Sequence, residues 1–440
     1  MTSIFLILGI ILVTILGRNI IVHIYRDVSV SEIVALGYIV GLGVFTLVLF
    51  ILNILGLKYS FIDSNLILAL LTITSYYVSR NKKFIIEQIK VNKPALMSIF
   101  IYTIIFIIPI IIYGFYWPVK DWDSLALYDY RAISFIHTGY MTEALRSNYD
   151  FGYPLFTSIS NTWVYSLGSQ SPTIIYSLFY ISLLVIFFSV LSRATNYSYA
   201  VFWTISLGLV NTLFEQAHMT YSNLPYITYL SLGILYISEG IRKSRDRINI
   251  GVLLIGLSTW VRGEPFWIIP LVAIFIFSHL NIFDYYYVLA YTFVVKLIQY
   301  PWNLYKIKHF PVTDGASPGY LSDILLLTKN IHIPRALEVS TYIWTNVIYP
   351  QLLIYVGGGL SVISIFLIAK KKSLHLRFAS FIILSSLLLI YVGTYVFSIR
   401  YETWDQIGNS AQRMSIFIIP LLFYMIANIY YQILSQYENK

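Results

Sequence analysis

Long uninterrupted apolar runs constrain this chain more than any other feature of its sequence. A run of at least about 18 apolar residues can cross a bilayer as a helix, and such runs recur along the whole chain. Since the bilayer core offers the backbone no water, only helices and closed barrels span it. A barrel would alternate apolar and polar residues, whereas these runs are continuous. The sequence therefore predicts an all-α polytopic membrane protein.

Composition and segment length support the same fold class. Only 11% of the residues are charged, whereas soluble domains carry about 25%. We expect about 11 to 13 transmembrane helices, because some of the apolar runs are short and can form broken pairs. The runs are 3–23, 33–57, 64–79, 94–115, 172–191, 199–213, 224–241, 248–261, 265–280, 285–299, 348–369, 378–397 and 415–434.

Basic residues between the runs predict the orientation. Lys and Arg in short loops mark the cytoplasmic side of a membrane protein, and three basic loops fall on one side here. The same pattern explains the net charge of +9. We therefore expect membrane lipids, and not nucleic acid, as the partner. The chain is expected in the cytoplasmic membrane of the cell. The basic residues are Arg80, Lys82, Lys83, Lys90 and Lys93; Arg242, Lys243, Arg245 and Arg247; and Lys370, Lys371, Lys372 and Arg377.

The polar segments with chemical potential all fall on the opposite, extracytoplasmic side. The spans themselves carry almost no charge away from their ends, with Arg18 and Lys296 as exceptions that can reach the interface. Neither an internal repeat nor a soluble domain is visible. The predicted outer segments are 116–171, 215–223, 262–264, 300–346 and 400–413.

The first long outer loop predicts an amphipathic helix lying on the membrane surface. Asp123 and Ser124 fit an N-cap, and Gly139 fits the end of the helix. An acid at this position also suits a general base, which removes a proton from an acceptor hydroxyl. The apolar stripe of the helix consists of Leu125, Tyr128, Ala132, Phe135 and Ile136.

This loop also resembles a known family. Its residues run, in order, Trp122-Asp123-Ser124, Tyr128, Ala132, Gly139 and Tyr153-Pro154. That order is similar to the first outer loop of the GT-C superfamily of membrane glycosyltransferases, such as the dolichyl-phosphate-mannose and aminoarabinose transferase-like families. The resemblance implies a GT-C-like helical bundle over residues 94–440, with residues 1–93 as additional N-terminal transmembrane helices. It also implies that Asp123 is the catalytic base.

Cationic and aromatic residues of the other outer segments are the candidate substrate ligands. An Arg guanidinium grips a phosphate in bidentate fashion, which suits Arg413 at the start of the last span. The charged turn Arg262-Gly-Glu264 fits either a binding site or a self-neutralised turn. By resemblance Lys306 would meet a phosphate, and Trp302 is either a substrate contact or an interface anchor. The aromatic substrate contacts would be Tyr128 and Tyr153.

Acidic residues in two outer segments suggest a divalent cation such as Mg²⁺ or Mn²⁺. Asp121 and Asp123 can share a hard cation, and Glu215 with His218 forms a Glu-x-x-His pair that can bind metal. Each pair is equally compatible with solvated polar residues. At 221–223 the chain reads Tyr-Ser-Asn, where the superfamily often carries a second acid.

Together these patterns favour an inverting glycosyltransferase of cell-envelope glycan biosynthesis. The resemblance implies a polyprenyl-phosphate monosaccharide as donor and a hydroxyl of a lipid, glycan or protein as acceptor. A nucleotide-sugar enzyme would be expected to carry a G-x-G-x-x-G motif, which the chain lacks, and no cysteine is present for thiol chemistry. The alternatives are a flippase or transporter and a polymerase or ligase of lipid-linked glycans.

Overall fold

The computed structural model describes residues 2–86, 93–141, 145, 153–242, 244–277, 282–309, 333–368, 374–400, 404–405 and 410–438. These residues are almost entirely helical. The described exception is a short parallel pair, in which Asp27–Val28 pairs with Ile85–Ile86 and joins the ends of two N-terminal helices. The predicted all-α fold is confirmed.

The helices of the N-terminal half follow the predicted apolar runs closely. One of them, α4, contains a π-helical turn at Thr103–Ile107. In chain order they are α1 (Thr2–Ile24), α2 (Val30–Ile54), α3 (Phe61–Ser79), α4 (Lys93–Tyr116), α5 (Tyr130–Thr138, after a π-helical turn at Ser124–Asp129), α6 (Phe156–Ser166), α7 (Thr173–Ala194), α8 (Tyr197–Gly208) and α9 (Asn211–Gln216).

In the C-terminal half, short non-α turns adjoin the helices at two places near the predicted outer loops. The 3₁₀ turn Pro265–Trp267 precedes α12, and the turns Trp344–Ile348 and Tyr349–Gln351 separate α14 from α15. These helices are α10 (Asn223–Arg242), α11 (Arg245–Val261), α12 (Ile268–Phe277), α13 (Ile282–His309), α14 (Ile333–Ile343), α15 (Leu352–Ile368), α16 (Leu374–Arg400), α17 (Ser410–Ser415) and α18 (Ile418–Glu438).

All thirteen predicted runs fall on helices, but fewer of them are full-length spans. Within the described residues, eight helical segments are long and apolar enough to cross a membrane. The run 199–213 is split between α8 and α9, and the described part of the run 265–280 consists of the 3₁₀ turn Pro265–Trp267 and the short helix α12. The multi-pass membrane fold is therefore established, while the finer count of 11 to 13 spans stays a prediction.

The N-terminal helices are part of the bundle core. Gly17 of α1 packs against α2 so closely that a Cβ atom there would lie 2.0 Å from the carbonyl oxygen of Gly37. Small residues let two helix backbones approach in this way. The Tyr38 hydroxyl of α2 donates to the carbonyl of Ile175 at 3.1 Å, and Trp260 donates to Thr46 at 3.0 Å. These buried bonds attach residues 1–93 to helices α7 and α11.

A buried ion cluster, which we call the inner cluster, joins four helices at the end opposite the predicted outer loops. It consists of Glu32, Arg193, Glu239 and Arg247. Glu239 belongs to the predicted span 224–241 and is fully buried, so the expectation of nearly uncharged spans overlooked it. It lies within a turn of the end of α10, where a charged side chain is less costly than at the midplane.

The surface helix agrees with the sequence at its end and differs at its start. Gly139 ends α5 in the left-handed conformation, with φ of 79°, as predicted. Of the predicted stripe, Tyr128, Ala132 and Phe135 are buried in the bundle, whereas Leu125 and Ile136 are 43% and 39% exposed. The π-helical turn at Ser124–Asp129 has more residues per turn than an α-helix and rotates the buried face. That face carries Leu127, Tyr128, Arg131, Ala132 and Phe135.

Helix α6 was not among the predicted spans, yet the interior of Phe156–Ser166 is almost completely buried. Its sequence is rich in Ser, Thr and Asn, so its hydropathy gives no signal for a buried helix. The Thr162 hydroxyl donates to the carbonyl of Ser158 at 2.7 Å, a bond that lets a polar side chain satisfy itself inside the bundle. This helix supports the surface helix from below.

Candidate functional site

A polar cavity of about 450 Å³, which we call the outer cavity, lies where the predicted outer segments meet. Six residues that the sequence singled out line it, although they come from three separate outer segments of the chain. The orientation predicted from charge had placed these segments on one face. The six are Asp123, Tyr128, Tyr153, Arg262, Glu264 and Arg413.

The outer cavity is crossed by an ion pair between Arg413 and Asp123. The Nη1 atom of Arg413 donates to Oδ2 of Asp123 at 2.7 Å, and the two side chains are 30% and 34% exposed. The predicted N-cap role of Asp123 is wrong, because its backbone is helical and its side chain makes no capping bond. Its carboxylate is directed to Arg413, on the short helix α17, instead.

A second pair forms at the turn between α11 and α12. Arg262 donates from Nε to Oε1 of Glu264 at 2.7 Å and from Nη1 to Oδ1 of Asn223 at 2.8 Å. Burial lowers the pKa of Arg262, but the Glu264 carboxylate and the neighbouring phenols together raise it by more, so the guanidinium stays charged. The Oε2 atom of Glu264 is buried and has no hydrogen-bond partner among the described residues.

Tyrosine rings form another side of the outer cavity. The ring centroid of Tyr128 lies 6.4 Å from those of both Tyr153 and Tyr221. The hydroxyls of Tyr128 and Ser222 are 2.8 Å apart and share a hydrogen bond. Burial raises the pKa of Tyr128, a shift that the nearby Arg262 opposes. The phenol of Tyr128 therefore remains neutral and can both donate and accept hydrogen bonds.

Three wall residues of the outer cavity were missed as site residues by the sequence analysis. They are Tyr221, Ser222 and Asn223, which had appeared only as a departure from the superfamily pattern. Arg413 lies over the ring of Tyr221, 5.9 Å from its centroid. Burial raises the pKa of Tyr221, and the carboxylates of Asp123 and Asp121 raise it further. A hydroxyl and amide wall thus stands where an acid was expected.

The candidate metal ligands are held by separate partners. Glu215 accepts a hydrogen bond from Asn211 at 2.7 Å. His218 lies edge-on to Tyr113 and Phe214, with ring centroids 4.8 Å and 4.9 Å away, and burial lowers its pKa. Within the described ranges no three His, Asp or Glu side chains form a metal-binding group. The described arrangement supplies no ligand set for Mg²⁺ or Mn²⁺, and the cation stays a prediction.

Asp121 is two residues from Asp123 but does not line the outer cavity. Burial raises the pKa of its carboxyl group, and the neighbouring Lys120 opposes that shift. The ammonium group of Lys120 itself lies 5.6 Å from the ring centroid of Tyr113. The structure therefore does not place Asp121 with the residues that line the outer cavity.

Lys306 and Trp302 lie on α13, outside the outer cavity. Trp302 is 3% exposed and packs between Phe50 and Tyr305, with both ring centroids 5.9 Å away. Lys306 is exposed on the same helix. The structure therefore does not bring either residue to the other candidates, and Trp302 contributes to the packing of the bundle. The part of the predicted loop 300–346 that spans 310–332 lies outside the described residues.

An apolar cleft of about 270 Å³ adjoins the outer cavity. The two spaces share Phe397 and Met414 in their linings and therefore lie side by side. A Cβ atom added at Gly393, in the wall of the cleft, would meet nothing within 4 Å. The sequence analysis did not predict this cleft, because its walls combine residues of apolar spans with residues of two outer segments. Its other walls are Tyr342, Leu389, Ile390, Thr394, Trp404 and Ala411.

The geometry joins a polar chamber, two Arg–carboxylate pairs and an apolar cleft at one end of a membrane bundle. Comparison of the chain with family models, curated proteins and solved structures found no significant match. The chain is a multi-pass helical membrane protein, and its function is inferred from the site itself.

Proposed function

We propose that this protein is an inverting glycosyltransferase that moves a monosaccharide from a polyprenyl-phosphate donor to a hydroxyl acceptor on the extracytoplasmic face of the cytoplasmic membrane. The observation that carries the proposal is that the outer cavity and the apolar cleft adjoin at Phe397 and Met414, which line both spaces. A lipid-linked sugar phosphate has the matching division into an apolar chain and a charged, hydroxylated head.

The donor head fits the charges of the outer cavity. Arg413 presents a partly exposed guanidinium to the outer cavity, and the next residue, Met414, also lines the apolar cleft. A phosphate bound by Arg413 would therefore lie near a chain in that cleft. Guanidinium groups bind phosphate oxygens through two parallel hydrogen bonds. Arg262 holds a second positive charge on the cavity wall. The sugar ring would lie among the tyrosine rings. The unpaired Oε2 atom of Glu264 would accept a hydrogen bond from one of its hydroxyl groups.

Asp123 is the base in this mechanism, and in the absence of donor its carboxylate is bonded to Arg413. Without donor, Arg413 holds the carboxylate at 2.7 Å. A donor phosphate competes for the same guanidinium and releases Asp123 to accept a proton. Charge-assisted bonds of this kind contribute about 1.5–3 kcal/mol each, so the exchange replaces one strong bond by another. The base is thereby freed when the donor is in place.

The transfer step balances with these groups alone. The acceptor oxygen forms a bond to the anomeric carbon while the bond from that carbon to the phosphate oxygen breaks. The acceptor proton passes to Asp123 as the new bond forms. Polyprenyl phosphate leaves with an additional negative charge, which Arg413 stabilises in the cavity. Attack from the face opposite the leaving phosphate inverts the anomeric configuration.

The experiment is turnover by purified protein in liposomes, offered a panel of radiolabelled polyprenyl-phosphate sugars with lipid, glycan and peptide acceptors. Asp123→Asn is expected to reduce transfer by about 10²–10⁴-fold, the usual contribution of a positioned base. Asp63→Asn is the matched control, since Asp63 starts α3 and lines no described cavity.

Other results would identify the alternatives. Transfer of intact oligosaccharide but not of monosaccharide would favour a polymerase or ligase of lipid-linked glycans. Movement of the lipid between leaflets without any transfer would favour a flippase. Undiminished transfer by Asp123→Asn would contradict the assignment of the base.

A further inference from the structure

A smaller polar space of about 250 Å³, which we call the side chamber, lies beside the outer cavity and has no role in the donor site described above. Tyr221 and Arg413 line both spaces and form the wall between them. Because Arg413 is bonded to Asp123 on its other side, a molecule in the side chamber lies one side chain away from the proposed base. The remaining lining residues are Thr212, Glu215, Gln216, Met219, Gln412 and Ile416.

The lining of the side chamber suits a neutral, hydroxyl-bearing molecule. Its walls supply one carboxylate, one guanidinium, two carboxamides and two hydroxyls, so they offer both donors and acceptors. The opposite charges of Glu215 and Arg413 leave this lining without a net charge, and Glu215 would oppose the binding of a phosphate. Hydroxyl groups, which donate and accept in turn, complement such a mixed lining.

Several lining groups keep free hydrogen-bonding capacity. Thr212 accepts a bond from Gln351 at 2.6 Å, which leaves its own hydroxyl proton for a ligand. Glu215 uses its Oε1 atom to accept from Asn211, and its other oxygen is available. Gln216 donates to the thioether of Met219 at 3.5 Å, a weak bond because thioether sulfur is a weak acceptor.

A chain of hydrogen bonds connects the side chamber with the outer cavity. Arg262 donates to Asn223 at 2.8 Å, and Asn223 donates to the side-chain oxygen of Gln216 at 3.1 Å. The position of Gln216 is thus fixed by a residue of the proposed donor site. This connection and the common wall together fix the position of the side chamber relative to the outer cavity.

We propose that the side chamber is the acceptor subsite, and that it binds a hydroxyl-bearing sugar unit of the acceptor through Glu215, Thr212 and Gln412. The inference rests on the proposed transferase function and assigns the second substrate of that reaction. The reacting hydroxyl would pass the Tyr221–Arg413 wall to reach Asp123. Glu215 is a binding residue in this assignment, whereas the sequence had suggested it as a metal ligand.

The first arm of the test is kinetic and uses Glu215→Gln, Thr212→Val and Gln412→Ala in liposomes. Each change removes one hydrogen bond or weakens a charge-assisted one, so each is expected to raise the KM for acceptor by about three- to tenfold. Donor affinity, measured without acceptor, should stay within about twofold of wild type. Glu338→Gln is the matched control, because Glu338 is exposed, pairs with Arg335 and lines no described cavity.

The second arm measures binding without turnover, by saturation-transfer NMR with methyl hexosides as the probes. Weaker binding to Glu215→Gln and Thr212→Val than to wild type and Glu338→Gln supports the proposal. Equal binding to all four proteins overturns it. If wild type turns over no donor, the transferase function fails, and this arm still decides whether the side chamber binds sugars.

Discussion

Two sets of Arg–carboxylate pairs lie at opposite ends of this bundle. They differ in how many carboxylates each arginine contacts and in how deeply the pairs are buried. In the inner cluster, Arg193 is bonded to Glu32 at 2.7 Å and to Glu239 at 2.8 Å, and the Glu32 and Glu239 side chains are fully buried. In the outer cavity, Arg413 has one carboxylate partner among the residues that the structure describes, and both members of the pair are about one-third exposed.

Further contacts inside the inner cluster give its two glutamates additional partners. Arg247 also pairs with Glu239, and the Tyr236 hydroxyl donates to Glu32 at 2.5 Å. The two glutamates and two arginines neutralise each other, and Arg247 also reaches the half-exposed Asp27 at 3.4 Å. The outer pairs face a cavity of about 450 Å³. The same residue chemistry therefore fixes helices at one end and is available for binding at the other.

The largest expected effect is on stability, from Arg193→Met in the inner cluster. Removing one partner of a buried ion network leaves uncompensated charge and costs about 3–5 kcal/mol. We expect little folded protein in detergent, judged by size-exclusion chromatography and thermal unfolding. Arg80→Met is the control, since Arg80 is exposed after α3. Normal stability of Arg193→Met would contradict the structural role of the cluster.

Arg413→Ala is expected to leave the fold intact and to weaken donor binding. A partly exposed pair contributes about 0–1 kcal/mol to stability, whereas the lost phosphate bonds would lower affinity by about 10- to 100-fold. Arg413→Lys should restore part of the affinity, since Lys keeps the charge without the bidentate geometry. Unchanged donor binding in Arg413→Ala, measured by equilibrium binding to liposomes, would remove Arg413 from the donor site.

Filling the apolar cleft should impair the use of long donors selectively. Gly393→Leu adds a side chain where the structure leaves space, and we expect a KM increase of about tenfold for a long polyprenyl donor but not for a truncated one, in line with the transfer energy of a buried Leu side chain. Gly359→Leu, on α15, is the matched control because a Cβ atom there also meets nothing within 4 Å. Equal effects of both changes on the KM for donor would contradict the assignment of the cleft as the binding site of the polyprenyl chain.

The smallest expected effect is that of metal removal. Since Asp123 is bonded to Arg413 and Glu215 to Asn211, we expect transfer in EDTA to stay within about twofold of transfer in Mg²⁺ or Mn²⁺, in contrast to the large losses seen when a required metal is removed. A loss of activity that added Mg²⁺ or Mn²⁺ restores would support the cation that the sequence suggested.

The sequence predicted the parts of this molecule that depend on local pattern. Helix positions follow from apolar runs because the membrane acts on each segment separately. The charge pattern then placed the segments that carry Asp123, Arg262 and Arg413 on one face, where the structure brings them to one cavity. The cytoplasmic or extracytoplasmic identity of that face stays a prediction.

Features that depend on tertiary contact could not be predicted. The pairing of Asp123 with Arg413 joins residues 290 positions apart, and no local pattern encodes it. The π-helical turn that exposes Leu125 and Ile136 likewise has no simple sequence signature. Glu239 was overlooked because one acid in an apolar run barely changes its mean hydropathy. Trp302 and Lys306 were placed in the site on resemblance, and the path of α13 keeps them out of the outer cavity.

The most direct measurement is donor binding and turnover by Asp123→Asn in the same liposomes. The account predicts that transfer is lost while donor affinity equals or exceeds that of wild type, since the substitution frees Arg413 from its carboxylate partner. Loss of donor binding together with turnover would contradict it, because Asp123 would then hold the donor, and the exchange of Arg413 between carboxylate and phosphate would not occur.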